Sequence, residues 1–230
     1  MTYLHVTTKC NMACAHCIHD YGAGKRGRHM DWNTFLGAVN FVKDYAGWEH
    51  ITLGGGEPTL NPDILKMLDH LVECGGFDYV LMVTNGSKAK VMREIIERYE
   101  SGQWEIPKHG GNIEVVLSWD VHHDQSMVEP FVSDYFIQRG LTHDVGWNLI
   151  RGGRAAKLPD SYTALEDKCV CNNLVVYPDG RVTACGCPGS PKIAQIVHHG
   201  YDMEHDAQEL LESPQFMDTR CARPLPAEVA

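Results

Sequence analysis

Cys10-Asn-Met-Ala-Cys14-Ala-His-Cys17 places three thiols at spacings of four and three residues. An iron–sulfur cube is usually held by four thiolates, so three leave one iron without a protein ligand. An open iron can take a small molecule, and the spacing therefore points to chemistry rather than to electron storage. Tetrahedral zinc with His16 or His19 as fourth ligand is the alternative. A second set, Cys169, Cys171, Cys185, Cys187 and Cys221, flanks the stretch Leu174–Ala184. It is a candidate for another metal group, with a zinc ribbon built from the two Cys-x-Cys pairs as the alternative.

Other residue types with chemical potential recur at intervals. Gly54-Gly55-Gly56-Glu57-Pro58 combines glycines that let a backbone approach a ligand with one carboxylate. Thr84-Asn85-Gly86 offers polar groups in a turn. Ser118-Trp119-Asp120 puts Ser118 and Asp120 on one face of an extended segment. His122 and His123 follow at once and, with Asp120, are candidates for a substrate-side acid or base.

The elements that must position these groups alternate. Strands are expected at Tyr3–Thr8, His50–Leu53, Tyr79–Val83, Ile113–Trp119 and Val145–Ile150. Helices are expected at Asp31–Tyr45, with Asp31 as N-cap, and at Asp63–Val72, Lys88–Tyr99 and Val128–Gln138. Apolar strands alternating with helices predict an α/β fold with a parallel sheet, an open partial (β/α)5-6 barrel of the TIM-like kind. In such folds sites gather at the C-terminal strand ends, where Cys10 to Cys17, Gly54 to Gly56, Asn85, Ser118 and Asp120 all fall. Beyond residue 151 the texture changes. Leu174–Tyr177, Pro178-Asp179-Gly180-Arg181 and Val182–Ala184 read as a hairpin, and Asp206–Leu211 as a late helix. The expected division is residues 1–155 as core and 156–230 as a cysteine-rich module.

Composition narrows the classes. The chain has 230 residues, with 20 Lys+Arg against 30 Asp+Glu and a formal charge of −10. That balance argues against non-specific nucleic-acid binding. No apolar run has bilayer length and no signal peptide is visible, so no membrane association and a cytoplasmic location are expected. Nine cysteines in a reducing compartment favour metal ligation over disulfides.

Taken together, Cys-x3-Cys-x2-Cys after the first strand, Gly-Gly-Glu-Pro after the second and Thr-Asn-Gly after the third resemble the radical S-adenosylmethionine (radical SAM) superfamily, over roughly residues 3–154. The resemblance implies a [4Fe–4S] cluster on Cys10, Cys14 and Cys17, with S-adenosylmethionine on its open iron. Reductive cleavage to a 5′-deoxyadenosyl radical and hydrogen abstraction from a substrate would follow. It implies that Gly55, Gly56 and Glu57 surround the methionyl amino group, that His16 lies near the adenine, and that Asn85, Ser118 and Asp120 lie near the ribose or carboxylate. Cys169, Pro-Asp-Gly-Arg-Val and Cys185 resemble the opening of the SPASM and Twitch extensions, which carry auxiliary clusters. One auxiliary [4Fe–4S] cluster fits the five available cysteines, although the doubled Cys-x-Cys pairs leave open which members ligate. The expected activity is oxidation or cross-linking of a peptide, as in maturation of ribosomally made peptides, or of a small molecule such as a sugar alcohol. An electron donor of the flavodoxin or ferredoxin type is implied. The chain begins at strand one, without the N-terminal peptide-binding domain of many peptide-modifying relatives, which weakens the peptide case; a separate peptide-recognition protein could supply that function. A non-catalytic zinc- or Fe–S-binding regulatory or electron-transfer protein is the rival class. Gly-Gly-Glu-Pro argues against plain electron transfer, which needs no amino-acid pocket.

Overall fold

The computed structural model describes residues 2–46, 50–73, 77–105, 113–144, 153–158, 174–186 and 190–206. The strands are β1 (Thr2–Thr7), β2 (His50–Gly55), β3 (Tyr79–Thr84), β4 (Ile113–Ser118), β5 (Thr142–His143), β6 (Leu174–Val176), β7 (Arg181–Thr183), β8 (Lys192–Val197) and β9 (Gly200–Met203). The helices are α1 (Trp32–Phe41), α2 (Ile64–Glu73), α3 (Ala89–Glu100) and α4 (Pro130–Gln138). One nine-stranded sheet runs in the order β5-β4-β3-β2-β1-β6-β7-β8-β9. Pairing is parallel from β5 through β6 and antiparallel from β6 through β9. The sheet is open, not a closed barrel.

Side-chain alternation assigns the two faces of the parallel part. Leu4, Val6, Ile51, Leu53, Val80, Met82, Val115 and Leu117 are buried in the core. Tyr3, His5, Thr52, Leu81, Val83 and Ser118 point the other way and line a concave cavity. The core helices begin where the sequence places caps. Asp31 Oδ1 accepts from the Thr34 amide at 2.9 Å and caps α1. After Phe41 the helix widens into a π turn, Val42–Ala46, that stacks Phe41 on Tyr45.

Two features go beyond the sequence reading, and two expectations fall on residues that are not described. The expected strand 145–150 lies outside the described residues, and the described fifth strand is the two-residue β5. Leu174–Val176 pairs with β1 in parallel, with Thr2 opposite Leu174, and adds a sixth parallel strand to the sheet. The hairpin β8–β9 was not anticipated. It turns at His198 and His199, where His198 has φ +52. The late helix expected at 206–211 falls outside the described residues, except Asp206.

Candidate active site

The cysteine loop leaves β1 and folds over the C-terminal strand ends. Thr7 Oγ1 accepts from the Lys9 amide at 3.0 Å and turns the chain out of the strand. The end of β2 passes directly beneath this loop. The Gly56 amide donates to Thr7 O and the Glu57 amide to Lys9 O, both at 2.8 Å. A Cβ at Gly56 would stand 2.0 Å from Lys9 O. The glycine is therefore required by backbone against backbone, not only by approach to a ligand.

Cys10, Cys14 and Cys17 are free thiols, partly exposed. They line one cavity of about 490 Å³ together with His16, Gly55, Gly56, Glu57, Asn85, Ser118 and His123. Burial raises the Cys10 thiol. Cys14 is pushed up to about 11, first by burial and then by the charges of Cys10 and Cys17. Burial and mutual repulsion thus disfavour thiolates here, and a cationic group bound between the three sulfurs would reverse that. The donor set fits an iron–sulfur group.

Glu57 is 1% exposed and serves inside the protein. Its Oε1 accepts from the Thr59 amide at 3.0 Å and from Thr84 Oγ1 at 2.6 Å, and its Oε2 accepts from the Asn85 amide at 2.7 Å. The carboxylate thereby ties β2 to the end of β3. Burial still outweighs these bonds and raises its pKa. Asn85 is oriented in turn. Its Nδ2 donates to Asn11 Oδ1 at 3.1 Å, and its Oδ1 accepts from Ser87 Oγ at 2.6 Å.

Beyond β4 the candidates separate by position. Ser118 and His123 line the cavity, whereas Asp120 stands behind His123. Asp120 Oδ1 accepts from the His122 amide and pairs with His123 Nδ1, both at 2.8 Å. Burial acts to raise Asp120, but the hydrogen bond and charge of His123 outweigh it and hold the carboxyl well below the usual range. The His16 ring lies 4.7 Å from that of His123 and 5.0 Å from that of His122. Burial, then His123, lowers His16 to about 4.

Arg154 is the residue that sequence reasoning missed. It lies where the sequence changes texture, next to the expected boundary at residue 155, and it is the clamp of the cysteine loop. Its Nε donates to Cys14 O and its Nη1 to Asp20 Oδ1, each at 2.8 Å, and its Nη2 donates to Tyr21 O. Its own amide donates to Cys17 O at 2.9 Å. No local periodicity signals a contact that reaches back to residue 14.

Of the second cysteine set, Cys185 is described. It is 2% exposed, its amide donates to Ser190 Oγ at 2.9 Å, and the next residue, Gly186, lines the cavity. Cys169, Cys171, Cys187 and Cys221 lie outside the described residues.

Comparisons with known proteins agree with this layout. Residues 4–110 match the family model described as Radical SAM superfamily. The chain is 39% identical over 84 residues to an S-adenosylmethionine-dependent nucleotide dehydratase of Thermoplasmatales archaeon (strain ISO4-H5), covering 36% of this chain and 28% of that one. It is 27% identical over 128 residues to a GTP 3′,8-cyclase of Peptoclostridium acidaminophilum, covering 50% and 39%. The chain thus spans well under half the length of these curated relatives. Among solved structures, BtrN in complex with AdoMet and 2-DOIA superposes with a TM-score of 0.61 at 17% identity, covering 94% of this chain and 83% of that one. Native anSMEcpe with bound AdoMet and Cp18Cys peptide gives 0.51 at 16%, covering 94% and 80%. Residues 4–110 are thus similar to the radical SAM superfamily, and the solved structures share the fold of the chain.

Proposed function

We propose that this chain is a radical SAM enzyme that abstracts hydrogen from a bound substrate and carries it to an oxidised or cross-linked product. The carrying observation is that three free cysteines share one cavity with Gly55, Gly56, Asn85 and Ser118, contributed by the C-terminal ends of three successive parallel strands and the turns after them. Cys10, Cys14 and Cys17 would hold a [4Fe–4S] cluster, which with S-adenosylmethionine supplies the reductive cleavage that generates a 5′-deoxyadenosyl radical. The chain's own part is to hold and shield. Arg154 fixes the loop that carries the thiols, Glu57 fixes Asn85, and the apolar walls Leu81 and Val83 exclude water. Asp120 orients His123 toward the cavity, where it is placed to take or give a proton.

A cavity of about 490 Å³ suits a small molecule or a single peptide side chain beside the cofactor. The curated relatives are named for nucleotide chemistry, and the solved ones hold 2-DOIA or a peptide. A sugar alcohol, a nucleotide and a peptide therefore form the substrate panel. Residues 156–230 are kept as a Twitch-like module with one auxiliary [4Fe–4S] cluster, supported by Gly186 on the cavity wall beside Cys185. A reducing cytoplasm and a flavodoxin- or ferredoxin-type donor belong to the same reading. No helix among the described residues is long and apolar enough to cross a membrane. The test is anaerobic reconstitution, reduction with dithionite and addition of S-adenosylmethionine. Formation of 5′-deoxyadenosine is expected, while colourless protein carrying zinc and no iron would favour the rival class.

A further inference from the structure

Apart from the cysteines, one group of side chains among the described residues is arranged as a ligand set. A ring nitrogen of His16, a ring nitrogen of His123 and a carboxylate oxygen of Asp120 all lie within 4.8 Å of one another. They come from two distant segments, the cysteine loop and the loop that follows β4. We propose that these three residues form a divalent transition-metal site on the cavity wall, distinct from the cysteine-bound group and independent of whether the cysteines carry a cluster.

The donor chemistry, the spacing and an unsatisfied atom converge on this assignment. Two imidazoles and a carboxylate suit first-row divalent ions such as manganese, iron or cobalt. In octahedral coordination, ligand bonds of about 2.1 Å place neighbouring donors about 3 Å apart and opposite donors about 4.2 Å apart. His123 Nδ1 and Asp120 Oδ1 stand 2.8 Å apart as a hydrogen-bonded pair, which is also the separation of neighbouring ligands, and a bound ion would take the place of the proton between them. A small movement of the His16 ring closes the set. His16 Nδ1 is buried and has no hydrogen-bond partner. A buried polar nitrogen left unsatisfied is destabilising, and an ion beside it removes the penalty. The His122 amide, donating to Asp120 Oδ1, orients the carboxylate from outside the set, as outer hydrogen bonds do at metal sites.

The position gives the ion a use. His16 and His123 line the cavity while Asp120 is 5% exposed behind them, so the open coordination positions face the substrate space. An ion held there would act as a Lewis acid on a substrate oxygen, fixing its place and easing loss of its proton. A hydroxyl- or carbonyl-bearing substrate is the chemical class that this site would receive.

Mn²⁺ is the probe, because it favours carboxylate and imidazole over the remaining thiols. The reconstituted full-length chain is titrated with Mn²⁺, and the free-ion EPR signal is followed. One ion bound per chain is expected, with affinity at least tenfold weaker in Asp120→Asn, His123→Gln and His16→Gln. Bound iron and the thermal melt are measured on the same samples, so a variant that fails to fold is recognised and the remaining ones decide. Absence of stoichiometric binding overturns the site, as does binding that is equally tight in all folded variants. Iron on Cys10, Cys14 and Cys17 is read separately, so loss of the manganese site and loss of the cluster assignment are distinct results.

Discussion

The two ends of the sheet are held by different means. Around the cysteines the contacts are polar and run between backbones: Gly56 to Thr7, Glu57 to Lys9, and the Arg154 guanidinium to Cys14 O and Tyr21 O. At the far end the β8–β9 hairpin is gripped by α1 through shape. Gly37 lies against Ile196 and the His198 carbonyl, Phe41 meets Tyr201 edge to face at 5.1 Å, and Asn40 Nδ2 donates to His199 O at 2.8 Å. The first region fixes atoms that do chemistry, and the second supplies stability to the sheet that carries them. Substitutions of the thiols and of the hairpin contacts should therefore be separable, with function lost in the first and melting temperature in the second.

The sharpest separation comes from the thiols. Cys14→Ala should reduce 5′-deoxyadenosine formation to that of buffer alone with little change in the melt. Replacing Cys10, Cys14 and Cys17 together should leave about four irons per chain if the auxiliary cluster is present. Iron near zero in that triple variant would remove the second cluster.

Arg154→Ala tests whether the polar region also carries stability. Its guanidinium contacts are charge-assisted, and losing them costs about 2–3 kcal/mol, or about 5–10 °C in melting temperature for a chain of this size. Iron loading should fall with it. A melt unchanged within error would show that Arg154 is not the clamp.

Gly37→Ala tests the apolar region. Helix propensity alone would favour alanine by about 1 kcal/mol. The added Cβ would sit 2.5 Å from Ile196 Cγ2 and 2.7 Å from the His198 carbonyl oxygen, and the carbonyl belongs to a turn that has little room to move. The clash reverses the sign, giving a net loss of about 1–3 kcal/mol. 5′-Deoxyadenosine formed per folded enzyme should not change.

The smallest effect concerns pH. Burial raises the Glu57 pKa above its unfolded value. The protonated form is thus relatively favoured in the folded state, and Glu57 contributes stability at low pH that is lost as pH rises through its folded pKa. In Glu57→Gln this loss is absent. Urea midpoints measured between pH 4.5 and 8 should show the advantage of the wild type over the variant shrinking as pH rises, and an advantage that grows instead would reverse the assignment.

The parallel half was legible in the sequence because its signals are local. Apolar strands, caps such as Asp31 and glycine turns each speak for a few residues, and β1 to β4 begin and end within two residues of expectation. The candidate residues of the cavity were legible through their spacing at strand ends. What escaped depends on distance. Arg154 reaches residues far upstream, and the internal use of Glu57 depends on Thr84 and Asn85 from another strand. The β8–β9 hairpin had a signal in the buried Ile193, Ala194 and Ile196, but its turn is His-His rather than the Asn-Gly pair that usually marks such a hairpin.

The seat of β1 between β2 and β6 has a consequence for the timing of synthesis. Thr2 is opposite both Ile51 and Leu174, so the strand that launches the cysteine loop gains its second neighbour only after most of the chain has left the ribosome. At translation speeds of about 5–20 residues per second, the thiols emerge many seconds before β6 and Arg154 can enclose them. During that interval the loop lacks the hydrogen bonds by which Arg154 holds Cys14 O and Cys17 O, so the spacing of the three thiols is set only once the later part of the chain has folded back on it.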